Sequence, residues 1–394
     1  MTQTVLLGDI AQKITKGTTP TTYGSSFTDT GVNFVKVESI TSQGGFLTDK
    51  FVHVDEDTHK NMLKRSIIEE GDILLTMAGA IGRVAQVPKN ILPANTNQAV
   101  SIIRINTEGV DSRYIRYFLE SPNARNQFLG GITQSAQPNL SLGNISKIQV
   151  PLPDFETQKK IADILGTIDE KIELNRKMNE TLEQMGQALF RHYFIDNSDA
   201  EKWARLSLSE LCENIGSGGT PSTQNESYYG GDVLWFSTKE LSDGFLFSSE
   251  KTITNEGLAK SAAKLFPVNT VTMAIYAAPT VGRLGILTKT ASFNQATCGL
   301  VAKSEIGYEF IYLYLLLSRV ELNNMANGAA QQNISVGKVR DFKVMRPDVK
   351  SLAGFRVKAE PIFERIRNNS EEIQTLTTLR DTLLPRLISG KVKV

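Results

Sequence analysis

"QPNLSLGNISKIQVPLP", from Gln137 to Pro153, reads as a polar turn, an alternating strand and a Pro-x-Pro stop. It returns as "QQNISVGKVRDFKVMRP", from Gln331 to Pro347, where Gln331 lies 194 positions beyond Gln137. That spacing holds without a gap as far as Tyr193 and Leu387. A repeat with a period near half of a 394-residue chain means two copies of one plan, and it decides the fold before any single element does.

Working upstream, "LGDIAQKITKGTTP" (Leu7 to Pro20) aligns with "LSELCENIGSGGTP" (Leu208 to Pro221). "DILLTMAGAIGRVA" (Asp72 to Ala85) aligns with "NTVTMAIYAAPTVGRLG" (Asn269 to Gly285), each a strand, a loop of its own length and a Gly-Arg. Asn97-Gln98-Ala99 aligns with Asn294-Gln295-Ala296. The copies therefore predict two globular modules, residues 1–153 and 198–346. Short β-rich runs broken by Gly, Pro, Asn and Ser, with helical stretches such as "SRYIRYFLES", indicate mixed α/β (α+β) modules with curved sheets. Loops diverge more than strands, as expected of two modules that bind different things in the same manner. Phe34, Trp235 and Phe236 sit in strand runs and are expected in the cores.

Each module is followed by a helix, over 154–197 and 347–394. In the first, Ile161, Leu165, Ile168, Ile172, Asn175, Asn179, Leu182, Gly186 and Leu189 alternate at four and three, the seam of a coiled coil. The second carries Phe355, Ala359, Ile362, Ile366, Asn369, Ile373, Leu376, Arg380 and Leu383 at matching positions. Each helix is expected to cover about 40 residues, or roughly 60 Å. Pro361 and Pro385 are expected to bend or limit the second, leaving 362–384 as its straightest part. Two such units in one chain predict a pseudo two-fold axis and an antiparallel pair. Asn175 and Asn369 then face each other and fix register, the alternative being that both turn to the solvated edge.

Composition narrows the function. The formal charge is +1, from 43 Lys and Arg against 42 Asp and Glu, so a nucleic-acid partner must be met by local patches. Two cysteines, Cys212 and Cys298, give neither a disulfide framework nor zinc spacing, which fits a reducing cytoplasm. The longest apolar run, "FIYLYLLL", is too short for a membrane span, and "MTQTVLLGDI" is not a signal peptide. There is no phosphate-binding Gly-x-x-x-x-Gly-Lys-Ser/Thr loop and no Asn/Asp-Pro-Pro-Tyr/Phe run for methyl transfer to a base amino group. His53 and His59 do not share a helical face and read as surface residues. "PDFETQK" and "PDVK" resemble nuclease carboxylate motifs only faintly, and their Asp residues suit helix N-termini. No metal site and no catalytic constellation emerges.

Two modules, each ending in a "QxN(I/L)S" turn, an apolar strand and a long helix, together with "PLPDFETQKKIADIL" and "LRDTLLPRLISGKV", closely resemble the DNA specificity subunits of type I restriction-modification systems. The resemblance covers essentially the whole chain; one departure is Met345-Arg346-Pro347 at the second exit. It implies that each module is a target recognition domain reading one half of a split, asymmetric site in double-stranded DNA. The antiparallel helices become a ruler for the unread spacer. It further implies docking of two methyltransferase (M) subunits and, through them, the restriction and motor (R) subunits. S-adenosylmethionine, ATP and Mg then belong to those partners, and this chain is non-catalytic.

The candidate DNA contacts lie on repeat-matched loops. Arg83 and Arg283 follow glycines and suit bidentate pairing with guanine, or else a phosphate contact or internal ion pair. Asn97, Gln98, Asn294 and Gln295 suit adenine. Lys16, Thr18 and Thr19, with Ser217, Gly218 and Thr220, sit in loops expected to be flexible and near DNA, or else to be plain turns. Gln134, Gln137, Asn139, Gln331, Gln332 and Asn333 recur so faithfully that a structural role fits them better. The competing reading is a non-catalytic scaffold whose modules bind proteins; an unseen active site is a third.

Overall fold

Ile73–Thr76 and Val100–Arg104 carry β-branched and aliphatic side chains that are buried on both faces, which places them inside a sheet and not at its edge. In the computed structural model, which describes residues 3–130, 139–276, 280–325 and 333–394, they are the inner strands of an antiparallel sheet. Its order is Lys13–Lys16, Val100–Arg104, Ile73–Thr76, Val84–Gln86. A second sheet runs Val52–Val54, Val32–Val35, Ala94–Thr96, Ile67–Ile68, with its central pair parallel. Gln3–Leu6 pairs antiparallel with Gln149–Leu152, so the repeated junction ties the end of the first module back to its beginning.

The second module repeats this plan. Five strands run Cys212–Ser217, Thr297–Ala302, Val271–Ala274, Leu284–Leu287, Gly244–Leu246, and three run Lys251–Ile253, Tyr229–Phe236, Ser292–Phe293. Arg205–Ser207 pairs with Lys343–Met345 as the matching tie. Phe34, Trp235 and Phe236 are buried, as the strand pattern predicts.

The long helices are Phe155–Phe190 and Val349–Ile388. The chain divides into two compact units, Met1–Ile172 with Thr375–Val394, and Glu173–Gln374, so each unit takes part of each helix.

In the first unit Ile161 and Leu165 join one core with Tyr114, Phe118, Leu384, Leu387 and Ile388. A charged cluster sits beside it. Asp169 accepts hydrogen bonds from the Tyr117 hydroxyl at 2.8 Å and from Arg380 at 3.1 Å, and pairs with Arg116 at 3.1 Å. Arg116 also donates to Glu120 at 2.9 Å, one turn along the same helix. Burial pushes the Glu120 carboxyl up to about 7 against the pull of Arg116.

In the second unit Phe190, Phe194, Phe310 and Phe355 interlock edge to face or tilted, and Ala359 and Phe363 extend this core along the last helix. Asn179 lies beside Ser370 and Gly186 beside Phe363, so these helix segments run antiparallel.

Three expectations need correction. Asn175 and Asn369 are both buried but do not pair with each other. Asn369 donates to Asn179 Oδ1 at 2.9 Å, Asn179 donates to Ser370 Oγ at 3.0 Å, and Asn175 donates to Glu372 at 2.8 Å. The facing residue lies one helical turn from the expected one, because repeat symmetry specifies antiparallel order but not axial stagger. Second, Val349–Ile388 continues through Pro361 and Pro385, so neither proline limits it. The carbonyl that Pro361 frees belongs to Val357, which is 75% exposed and open to water, while Phe355, Ala359 and Phe363 hold the opposite face. Phe363 and Leu384 are the buried residues of the seam, with the expected Ile362 and Leu383 half-buried beside them. Third, His59 is buried, with Nδ1 2.6 Å from Asn95 Oδ1. A sheet residue supplies its partner, which spacing along one helix does not reveal.

Candidate nucleic-acid interface

Gly17 and Gly218 are the fixed points of the candidate site. A Cβ on Gly17 would lie 1.8 Å from the Thr96 carbonyl oxygen, and one on Gly218 would lie 1.9 Å from that of Phe293. Only glycine permits backbones this close. The contacts then repeat pairwise. Gly17 N–H donates to Val100 at 3.3 Å and Thr18 N–H to Thr96 at 3.1 Å; Gly218 N–H donates to Thr297 at 3.2 Å and Gly219 N–H to Phe293 at 2.9 Å. The loops after Lys16 and Ser217 are thus docked on their own modules, a correction to the expectation that they are flexible.

Docking brings the predicted residues together. Thr19 donates to Gln98 Oε1 at 2.5 Å, and Thr220 donates to Gln295 Oε1. Asn97 Oδ1 accepts from the Ala99 N–H at 3.1 Å, and Asn294 Oδ1 accepts from the Thr297 hydroxyl at 3.0 Å. Gln98 and Gln295 are exposed, Asn97 and Asn294 half-buried. Lys16 is exposed at the end of its strand, and Ser217 is half-buried at the matching strand end.

The hairpin loops meet the same turn. Met77 N–H donates to Ala99 at 2.7 Å and Ile275 N–H to Ala296 at 2.8 Å. The junction clasps the same residues from the other side, with Leu140 N–H on the Met77 carbonyl and Ile334 N–H on that of Ile275, each at 2.9 Å. Asn139 and Asn333 are exposed beside this clasp, while Gln134, Gln137, Gln331 and Gln332 lie outside the described residues.

The two Gly-Arg arginines part company. Arg83 Nη1 donates to the Ile40 carbonyl at 2.7 Å and that of Val37 at 3.4 Å, so its guanidinium holds its own module together. Arg283 is half-buried, and its guanidinium makes no hydrogen bond or ion pair with any described residue. Two cations that the sequence reading missed flank the turns. Exposed Arg65 reaches Thr18 Oγ1 at 3.4 Å. Exposed Lys264 lies two residues beyond Ala262, against whose backbone Gly219 packs.

Among the described residues no three His, Cys, Asp or Glu side chains gather as metal ligands, and no helix is long and apolar enough to cross a membrane. Burial pushes both cysteine thiols, Cys212 and Cys298, up to about 12, which makes them core residues and not nucleophiles.

The model of the type I restriction modification DNA specificity domain matches residues 2–184 and again residues 200–351. The type I restriction enzyme HindI specificity subunit of Haemophilus influenzae is 25% identical over 430 residues, covering 89% of this chain and 93% of that protein. The type I restriction enzyme MjaIX specificity subunit of Methanocaldococcus jannaschii is 27% identical over 354 residues, covering 83% and 79%. The crystal structure of a type I restriction-modification S subunit from M. genitalium superposes with a TM-score of 0.63 at 14% identity, over 98% of this chain and 96% of that one, a likeness of fold.

Proposed function

We propose, for a chain that belongs to the type I restriction modification DNA specificity family, that it is the non-catalytic, sequence-reading subunit of a type I restriction-modification complex. The observation that carries this is duplication of the site. Both modules assemble the same docked loop, Asn-Gln turn and hairpin from unlike sequences, as two readers of two unlike half-sites require. The modules are taken as residues 1–153 and 198–346, with 154–197 and 347–394 as the spacer helices.

Under this reading the chain binds double-stranded DNA and docks two methyltransferase subunits, with restriction and motor subunits held through them. S-adenosylmethionine, ATP and Mg serve those partners, and the complex works in the cytoplasm. A near-neutral chain suits such an assembly, since partners share the phosphate contacts and this subunit supplies side chains to base edges. Continuous helices of 36 and 40 residues, about 54 and 60 Å, supply a stiff spacer.

The test is methylome sequencing of cells expressing this chain with its methyltransferase, which reports both half-sites and the spacer. Exchanging the loops of 198–346 is expected to change one half-site only. Deleting a heptad from each helix is expected to shorten the spacer and leave both halves intact. No sequence preference in the reconstituted complex would instead identify a protein-binding scaffold.

A further inference from the structure

Reading adenine with an amide side chain requires its oxygen and its NH2 side by side, one accepting from N6–H and the other donating to N7. In each of the four turn amides the oxygen already has a partner within its own module. Asn97 turns its oxygen to a backbone N–H of its own module, Gln98 and Gln295 turn theirs to threonine hydroxyls, and Asn294 does the same. Their NH2 groups make no hydrogen bond with any described residue. Each module thus has two turn amides whose oxygens are already engaged within the module and whose NH2 groups are unspent, on a turn that a glycine contact holds in place.

Unspent NH2 donors suit acceptors. Phosphate oxygens qualify, as do guanine O6 and N7 and thymine O4, but the threonine-held glutamine recurs in two modules whose other loops differ. A shared device reads what the two half-sites share, and that is the backbone. Exposed cations point the same way, with Lys16 next to Gly17, Arg65 on the Thr18 hydroxyl, and Lys264 two residues beyond the Ala262 backbone that meets Gly219.

Resting on the DNA-recognition reading above, we propose that the Asn-Gln turn of each module grips the phosphodiester backbone, with Asn97 and Gln98 in one half-site and Asn294 and Gln295 in the other setting register and not reading adenine. Base choice then falls to the unlike loops around them.

The experiment uses the full chain reconstituted with its methyltransferase. It is titrated with duplexes carrying its methylome-defined target, with each base pair changed in turn, and with single methylphosphonates that neutralise one phosphate at a time. Gln98→Ala and Gln295→Ala are expected to raise Kd by about ten- to a hundredfold, the worth of one hydrogen bond to a charged group. Gln98→Glu and Gln295→Glu keep the oxygen that meets the threonine but set negative charge toward the phosphate, and are expected to weaken binding further. The factor should be the same on every base-changed duplex. At one methylphosphonate position per half-site, the Ala variants should cost nothing more than wild type.

Loss of discrimination at a single base pair overturns the proposal in favour of base reading. Unchanged affinity in the Glu variants overturns it in favour of a purely structural turn. The methylphosphonate scan on wild type needs no variant to fold, and absence of a sensitive phosphate in either half also overturns it. If wild type prefers no sequence, the DNA-recognition reading itself falls; if wild type is specific and only these results fail, the grip alone falls.

Discussion

Asn175 and Asn369 occupy equivalent places in the repeat, yet replacing each with Leu, which has nearly the same branching, is expected to move stability in opposite directions. Asn175 is fully buried; its Nδ2 donates to Glu372, and its Oδ1 accepts from no described residue. Leu at 175 removes a desolvated oxygen worth about 1–3 kcal/mol and buries two methyls worth about 0.8 kcal/mol each. Against this stands one charge-assisted hydrogen bond of about 1.5–3 kcal/mol, partly recovered because exposed Glu372 rehydrates. The net is about 1 kcal/mol of stabilisation. At 369 the balance reverses: Leu leaves Asn179 Oδ1 without the donor that satisfies it, a loss of about 1–3 kcal/mol that the methyls only partly offset. Trp203 and Trp235, the chain's two tryptophans, both lie in the unit that holds these helix segments. Urea unfolding followed by tryptophan fluorescence therefore reports this unit, and the midpoint should rise for Asn175→Leu and fall for Asn369→Leu. Shifts of the same sign in both variants would refute the assigned pairing.

In the first unit, Asp169→Asn removes the charge that Arg116 and Arg380 share; with both guanidiniums mostly buried, a loss of about 3 kcal/mol is expected by circular dichroism, against a smaller loss for Arg380→Met, which removes a partner and its charge together. Glu120, with its folded pKa raised to about 7, binds more protons folded than unfolded between its ordinary value and 7, so stability should decline as pH rises through that window. Glu120→Gln should flatten the decline, and an unaltered pH profile would show that the carboxyl is not desolvated.

Periodicity made the repeat, the helices and their seam legible, because burial of one helical face demands a fixed spacing wherever the partner stands. Stagger was not legible: Asn175 and Asn179 are both seam residues one turn apart, and only packing of Gly186 on Phe363 settles which meets Asn369. The Pro361 turn misled for a related reason, since the rule against proline assumes a carbonyl left without a partner, and here it belongs to exposed Val357. At the candidate site, alignment alone picked out Gln98 and Gln295, which the structure sets beside Thr19 and Thr220. It could not tell Arg83 from Arg283, because a guanidinium spent on the Ile40 carbonyl depends on a loop about forty residues away. Arg65 and Lys264 escaped notice because neither lies in a segment that the two copies share recognisably.

The first unit is assembled from both ends of the chain, since Leu384, Leu387 and Ile388 complete a core begun by Ile161 and Leu165. During synthesis, the apolar stripe around Ile161 therefore leaves the ribosome roughly two hundred residues before its cover, an interval of about 10–40 s at ordinary elongation rates. The second unit is continuous and is complete first. A nascent first unit must wait with the side of its stripe that Leu384, Leu387 and Ile388 cover still bare, so chaperone binding and premature termination should both act on this half of the protein.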